Sequence, residues 1–251
     1  MRSERRHVLV TGASGTLGAE ICRRVAGTGW DVTLVVRTRD ARAAETAREC
    51  QELGAQTTVV AADLADPGSA EFVVEHARAT IPTPMAGLVH CAAHFTFARV
   101  GRLADDLHSD YLRSFDVNTH ALLRLIDQCG RHMVDDGRIV ALSSVNSVLG
   151  LPGSGAYAAS KAAAEALIRT ASRELGHRGI TCNTVQLGLV DTPAAAAVTD
   201  AGVRDLYAMQ SAVGRTGRAE DVAAQVSYLL SEQAGWMTGQ TVRLDGGFQC
   251  R

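Results

Sequence analysis

Short apolar segments rich in β-branched residues alternate along the chain with longer segments rich in Ala, Arg and Glu. Strands that are apolar on both faces and separated by helices predict a parallel sheet covered by helices on both sides. The predicted strands are 7–10, 32–36, 57–60, 87–90, 138–142, 180–185 and 241–244. The pattern therefore predicts an α/β fold with about seven parallel strands.

No linker rich in Pro, Gly and Ser and no internal repeat divides the chain, and its five prolines fall at turns or just beyond predicted elements. A length of 251 residues with 46% hydrophobic content is sufficient for one large, well-buried core. We therefore expect residues 1–251 to form a single domain.

The first predicted strand leads into a turn with three glycines and then into a helix. Gly12, Gly15 and Gly18 allow the backbone to turn tightly and to approach a pyrophosphate, whose charge is met by the helix N-terminus. The alternative is a plain strand-to-helix turn without a ligand. We predict a doubly wound, Rossmann-type fold with these phosphate contacts: Gly12, Ser14, Gly15, Thr16, Leu17 and Gly18.

The residue after the second strand indicates which dinucleotide is bound. A carboxylate at this point would bind the ribose 2′-hydroxyl of NAD, whereas an arginine accommodates the 2′-phosphate of NADP. Arg37 follows the strand, and the first acid is Asp40. The sequence favours NADP(H), although Arg37 in an arginine-rich chain could also be a solvated surface residue.

Lys161 is the single lysine among 25 basic residues, and it stands four positions after Tyr157. Residues i and i+4 share one helix face, so the ammonium can lie near the phenol. A nearby cation favours the phenolate, and we therefore expect Lys161 to lower the pKa of Tyr157 into the range needed for proton exchange. The alternative is a half-exposed tyrosine beside a solvated lysine.

Charge and composition exclude several classes of function. A net charge of -2 and a pI near 6.4 give no general attraction to nucleic acid. No apolar run reaches the roughly 18 to 20 residues of a membrane span, so we expect a cytoplasmic protein. The six cysteines form no C-x-x-C pair, and His90 and His94 follow a strand without a nearby carboxylate ligand, so no metal site is expected.

Several motifs in the same order resemble the short-chain dehydrogenase/reductase family, in its compact single-domain branch, over essentially the whole chain. The C-terminal half is similar to 3-oxoacyl thioester reductases. The motifs are the turn from Gly12 to Gly18, Ala62-Asp63-Leu64, Asn118, Ser143-Ser144, Tyr157 with Lys161, Gly214-Arg215, 220–223, 238–240 and Asp245-Gly246-Gly247.

The resemblance implies hydride transfer between NADP(H) and a carbonyl or alcohol. Tyr157 would protonate the substrate oxygen, Ser144 would hydrogen-bond it, Lys161 would hold the nicotinamide ribose, and Asn118 would support a water relay. By themselves Ser144 could be a capping serine and Asn118 a helix-surface residue. The implied cofactor contacts beyond the glycine turn are Arg37, Thr38, Asp63, Leu64, His90, Ala92, Tyr157, Lys161, Val190 and Thr192.

The chain departs from the family pattern at three places. Thr16 replaces the usual second glycine, His90-Cys91-Ala92-Ala93 replaces Asn-Asn-Ala-Gly, and Leu187-Gly188 replaces Pro-Gly. Ala93 adds a Cβ where glycine is usual, so we expect weaker or altered nucleotide affinity.

A segment of about 191–213 is expected to form a lid over the substrate, with one apolar helical face. The predicted substrate contacts are His94, Asn146, Leu151, Tyr207 and Met209. These residues could equally well only close the domain. The pattern favours an apolar or mixed ketone of medium size.

Two other functions stay open at this stage. The chain could be a catalytically silent NADP-binding regulatory or scaffolding subunit, or an NADP-linked alcohol dehydrogenase working in the oxidative direction. The ketone could be free or carried on an acyl carrier protein or coenzyme A. The resemblance also implies a homo-oligomer, a tetramer or dimer, through the helices that carry Asn118 and Tyr157.

Overall fold

The computed structural model describes residues 5–96, 100, 105–197 and 199–248, without the side chains of 105–108. Within these residues seven strands form one parallel sheet, which confirms the predicted fold class. The strands are β1 (Arg6–Thr11), β2 (Trp30–Val36), β3 (Thr57–Ala61), β4 (Met85–His90), β5 (Arg138–Ser144), β6 (Thr181–Leu187) and β7 (Thr241–Leu244).

The strand order is β3-β2-β1-β4-β5-β6-β7, so the chain builds outward from β1 in one direction and then from β4 in the other. The ends of β1 and β4 are paired at Thr11 and His90. A crevice forms where the strand order reverses, beyond the carboxyl ends of the strands, and this is where such sheets bind ligands.

Helices cover both faces of the sheet and connect the strands. Those in the described residues are α1 (Thr16–Gly27), α2 (Ala41–Glu52), α3 (Ser69–Thr80), α4 (Asp105–Phe115), α5 (Ala121–His132), α6 (Asn146–Leu149), α7 (Gly155–Leu175), α8 (Pro193–Ala196), α9 (Ala201–Gln210) and α10 (Ala219–Leu230). None of the described helices is long and apolar enough to cross a lipid bilayer.

The two faces of the sheet carry separate apolar cores. One core joins α1, α2 and α10 to the sheet through residues such as Ile21 and Val226. The other joins α3, α5 and α7, with Leu122 and Ile168 fully buried. Because α7 is fixed on the second core, the residues at its N-terminal end have defined positions beside the carboxyl ends of β4 and β5.

Candidate active site

The glycine turn between β1 and α1 is built for close backbone approach. Gly12 has φ +68, and a Cβ added there would lie 2.9 Å from Ala92 Cα. A Cβ at Gly18 would lie 2.2 Å from the Gly12 carbonyl oxygen. Both positions therefore require glycine, because a side chain would collide with backbone atoms. Thr16 is tolerated at its position because it begins the helix after the N-cap residue Gly15.

A cleft of about 450 Å³ opens at this turn. Its fit to a dinucleotide rests on the turn, on the N–H groups at the N-terminus of α1, which have no acceptor within the helix, and on Arg37 at its wall. Asp40 accepts a hydrogen bond from Ala43 N at 2.8 Å and so caps α2. The predicted residues that line this cleft are Gly12, Ser14, Gly15, Thr16, Leu17, Gly18, Arg37, Thr38, Asp63, Leu64, Ala92 and Thr192.

Arg113 is a second cation at this cleft, and the sequence pattern did not indicate it. Its guanidinium donates to Asp63 at 2.8 Å, and this contact is the main reason that the pKa of Asp63 is lowered. Arg113 lies on α4, fifty positions from Asp63 in the chain. Such a pair cannot be identified from local spacing.

A second cavity of about 410 Å³ adjoins the cleft, and Ser144 and Tyr157 are among the residues that line it. No Asp, Glu, Lys, Arg or His is among the described residues that line it. The lid region forms one wall, because Val203, Leu206, Tyr207 and Gln210 of α9 share a face at spacings of three and four residues. Residue 198 of the predicted lid lies outside the described residues.

Tyr157 is buried at the start of α7, with 5% of its surface exposed. Its ring stacks on Phe95 with a centroid separation of 4.9 Å, and its hydroxyl is hydrogen-bonded to Ser144. Burial raises the pKa of Tyr157 above its ordinary value, and the Ser144 hydrogen bond acts in the opposite direction. The phenol is therefore protonated at neutral pH, which suits a proton donor.

Lys161 is buried one helical turn after Tyr157, with 2% exposed. Its Nζ donates to the Leu142 carbonyl at 2.8 Å and lies 5.8 Å from the centre of the Tyr157 ring. Burial lowers the pKa of Lys161 to about 8. We expected Lys161 to lower the pKa of Tyr157, but burial of the phenol outweighs any such effect, and this expectation is corrected.

Asn118 lies in a π-helical turn, Asp116–His120, between α4 and α5. Its amide donates to the His94 carbonyl at 3.0 Å and to Ser160 Oγ at 2.9 Å, and its Oδ1 accepts from His94 N at 2.8 Å. Asn118 is fully buried. It therefore joins the π-turn, the segment after β4 and helix α7, and π-turns of this kind are frequent at functional sites.

His90 is buried and does not line the cleft, so the predicted contact between His90 and the cofactor is corrected. The backbone N–H groups of Cys91 and Ala92 both donate to Thr11 Oγ1. The Thr11 hydroxyl must then donate to His90 Nδ1 at 3.1 Å, which leaves the proton of the ring on Nε2. Nε2 donates to the Val117 carbonyl at 3.1 Å. His90 thus holds β1 against the π-turn.

This arrangement predicts that the protein is sensitive to acid. Burial lowers the pKa of His90 to about 3, and that of buried His7 to about 4, below the ordinary 6.5. The stabilisation that each uncharged histidine gives the folded protein is fully present above pH 6.5. It is lost as the pH falls toward 4, because the unfolded chain then binds protons that the folded chain does not. For each of the two histidines, we expect the free energy of unfolding to decrease by about 3 kcal/mol from pH 7 to pH 4.

The variant His90→Asn tests this expectation, because an amide can also accept from Thr11 and donate to Val117. Urea unfolding at pH 7 and pH 4 should show that the variant loses about 3 kcal/mol less than the wild type. His177→Asn, at an exposed position, is the control. Equal losses in His90→Asn and the wild type would contradict the structural role of an uncharged His90.

Five other predicted contacts lie elsewhere than expected. His94 lines the cofactor cleft, not the substrate cavity, and its Nε2 lies 3.3 Å from Asp110 Oδ1. Met209 is 78% exposed, because it points away from the cavity-facing side of α9. Val190 lines the substrate cavity. Tyr157 and Lys161 were predicted to contact the cofactor, but Tyr157 lines the substrate cavity and Lys161 lines neither space. The same cavity is lined by Asn146, Leu151 and Tyr207.

The far wall of the cavity is a stacked pair of rings that sequence spacing did not indicate. Tyr207 and Phe248 lie parallel within 4°, with centroids 4.0 Å apart. The Tyr207 hydroxyl reaches the backbone at Gly188, where an added Cβ would lie 2.1 Å from it. Gly188 therefore leaves room for the lid helix to dock, and the pair joins α9 to the C-terminal segment.

The fold and the cleft at the glycine turn define a dinucleotide-binding α/β protein. A family profile described as enoyl-(acyl carrier protein) reductase matches residues 12–249. The chain belongs to the short-chain dehydrogenase/reductase family and is an NADP-dependent oxidoreductase of that family, which confirms the predicted family, enzyme class and cofactor.

Three related proteins illustrate the similarity. A solved short-chain dehydrogenase from Burkholderia cenocepacia in complex with NADP is 30% identical, with a TM-score of 0.91 and 99% of each chain covered. A 3-oxoacyl-(acyl-carrier-protein) reductase of Salmonella typhimurium is 31% identical, with 98% of each chain covered. A cyclic-di-GMP-binding biofilm dispersal mediator protein of Escherichia coli is 35% identical, with 96% of each covered.

Proposed function

We propose that this protein reduces an uncharged, mainly apolar ketone to a secondary alcohol with NADPH. The observation that carries the proposal is the cavity beside Tyr157 and Ser144, whose described lining contains no charged side chain. A neutral ketone loses little hydration on entering such a cavity, whereas a carboxylate or phosphate would be desolvated without a counter-charge.

In this mechanism NADPH supplies a hydride to the carbonyl carbon when bound. Tyr157 donates its phenolic proton to the carbonyl oxygen, and Ser144 donates a hydrogen bond to the same oxygen. The positive charge of Lys161, one turn along α7, favours the phenolate that remains, and Asn118 supports proton supply from solvent. Burial keeps the phenol of Tyr157 protonated at neutral pH, as a proton donor in ketone reduction requires.

A 3-oxoacyl thioester, carried on an acyl carrier protein or coenzyme A, is the second candidate substrate. The Salmonella typhimurium relative is named for this reaction. A screen with NADPH should compare simple aryl and alkyl ketones with 3-oxoacyl thioesters of coenzyme A and of N-acetylcysteamine. Higher kcat/KM for the free ketones supports the first candidate, and higher kcat/KM for both thioesters supports the second.

The same screen distinguishes catalysis from the silent regulatory role. One relative is named for ligand binding and not for a reaction. A regulatory subunit would bind NADPH, seen as a change in its fluorescence, without oxidising it in the presence of any ketone. Turnover of at least one ketone, lost in Tyr157→Phe, supports the enzymatic role.

Arg37 is proposed to bind the 2′-phosphate of NADP. A charge-assisted hydrogen bond contributes about 1.5 to 3 kcal/mol, so Arg37→Ala should weaken NADPH binding by roughly 10-fold to 100-fold and leave NADH binding unchanged. Arg39→Ala is the matched control, because Arg39 donates to the Val59 carbonyl and does not line the cleft. An equal loss for both dinucleotides would contradict phosphate recognition by Arg37.

We also propose that the protein acts in the cytoplasm as a homo-oligomer, a dimer or tetramer. Leu112 on α4 and Leu123 on α5 are about half exposed, at 47% and 48%, on the helices that flank the Asn118 turn. Exposed leucines on neighbouring helices suit a contact with a second copy. Light scattering measures the mass, and Leu112→Asp with Leu123→Asp should reduce it.

A further inference from the structure

Glu165 is a buried carboxylate on α7, one helical turn after Lys161 and 6% exposed. Its Oε1 accepts from Ser143 Oγ at 2.6 Å, from Ser147 Oγ at 2.7 Å and from Gln186 Nε2 at 3.0 Å. Burying a carboxylate is costly unless it is hydrogen-bonded and compensated by charge. Glu165 has no part in the mechanism proposed for Tyr157, Ser144 and Lys161.

Two of the three donors stand on either side of Ser144. Ser143 precedes it at the end of β5, and Ser147 follows it in α6, where Ser147 Oγ also lies 2.8 Å from the Ser144 carbonyl. Within this turn the Ser144 hydroxyl accepts from Asn146 N at 3.2 Å. One carboxylate oxygen therefore joins the segment that carries Ser144 to the helix that carries Tyr157 and Lys161.

Gln186 extends this network to the next strand. Its amide donates to both Glu165 and Ser147, and its Oε1 accepts from Arg243 Nε at 3.0 Å. Each of the two amide hydrogens thus has an acceptor. A network in which the buried groups are paired fixes the relative positions of the elements that contribute to it.

Burial is the main influence on the pKa of Lys161 and lowers it. Two side chains act in the opposite direction through their charge, the Cys91 thiol after β4 and Glu165 on the same helix. From β4, His90 is uncharged at neutral pH, and Tyr157 is a protonated phenol. Because burial raises the thiol pKa of Cys91 to about 12, this thiol is uncharged at neutral pH.

We propose that Glu165 is a positioning residue, which holds the Ser144 turn against α7 and keeps Lys161 charged for the reaction. The consequence of this role for catalysis rests on the proposed ketone reduction, but the effect of Glu165 on the charge of Lys161 can be measured without turnover.

The single lysine makes the charge directly observable. Protein labelled with ¹³C-lysine gives one lysine Cε resonance, which reports the ionisation of Lys161 alone. In Glu165→Gln, which keeps the size and one acceptor oxygen, we expect the pKa of Lys161 to fall by about one unit. Glu174→Gln, an exposed position on the same helix, should leave the titration unchanged. An unchanged pKa in Glu165→Gln would overturn the electrostatic part.

Ser147→Ala tests the positioning part with a smaller change than any substitution of Glu165. It removes one hydrogen bond from the carboxylate and should lower kcat about 3-fold to 10-fold, with NADPH affinity and the Lys161 titration unchanged. Wild-type kcat in this variant would overturn the positioning part.

The kinetic pH profile links the two parts. In Glu165→Gln the pKa of the basic limb of the kcat profile should fall by the same amount as the pKa of Lys161 measured by NMR. In Ser147→Ala, by contrast, kcat should be lower at every pH. If the wild type reduces no ketone, the proposed function fails while the NMR result still decides the electrostatic part. If the wild type is active and neither variant differs from it, the inference fails alone.

Discussion

Replacing Tyr157 with Phe is expected to lower kcat for ketone reduction by about 10²-fold to 10⁴-fold, because the substitution removes the general acid and leaves the ring in place. The ring still stacks on Phe95, and the lost hydrogen bond to Ser144 costs about 1 kcal/mol of unfolding free energy. NADPH affinity should change little. Steady-state kinetics and NADPH fluorescence titration measure the two effects separately.

Tyr228→Phe is the matched control for this variant. Tyr228 is 41% exposed on α10 and lines neither cavity, so removing its hydroxyl should leave kcat unchanged. Substantial turnover in Tyr157→Phe, with Tyr228→Phe equal to the wild type, would show that another group supplies the proton. Ser144 would then be the next candidate, because its hydroxyl lies in the same cavity.

Replacing Lys161 with Met is expected to stabilise the ligand-free protein and to lower kcat by about 10²-fold to 10³-fold. Burial lowers the pKa of Lys161 from 10.5 to about 8, which corresponds to roughly 3 kcal/mol that the charged amine costs the folded state. The hydrogen bond to Leu142 is lost in the variant and offsets part of this gain. A net gain of about 1 to 2 kcal/mol, or roughly 2 to 8 °C in Tm, should remain at pH 7.

The sign of this effect depends on pH. Between pH 8 and pH 10.5 the unfolded chain retains the lysine proton that the folded chain has released, so wild-type stability rises relative to the variant. By pH 10 the remaining difference in unfolding free energy should be below about 1 kcal/mol. Urea unfolding at pH 7 and pH 10 checks both values, with exposed Arg169→Met as the control. A Lys161→Met protein that is less stable than the wild type at pH 7 would contradict the burial cost.

Local patterns determined the fold and the positions of the reactive groups. Strand and helix periodicity depends on which faces are apolar, and this information is contained within each segment of the sequence. Gly12 and Gly18 were identifiable because close backbone contacts exclude a side chain at both positions. Tyr157 and Lys161 could be placed together because residues four positions apart lie close together on one face of a helix.

Only the tertiary structure decided which residues distant in the chain are in contact and which energies depend on burial. Arg113 reaches Asp63, Phe248 stacks on Tyr207, and Glu165 joins Ser143 to Gln186 across different elements. The pKa of Tyr157 was predicted in the wrong direction because spacing reports a neighbouring charge but not the loss of water around the phenol. Desolvation depends on how the whole structure packs around a group, so it cannot be inferred from the spacing of two residues in the sequence.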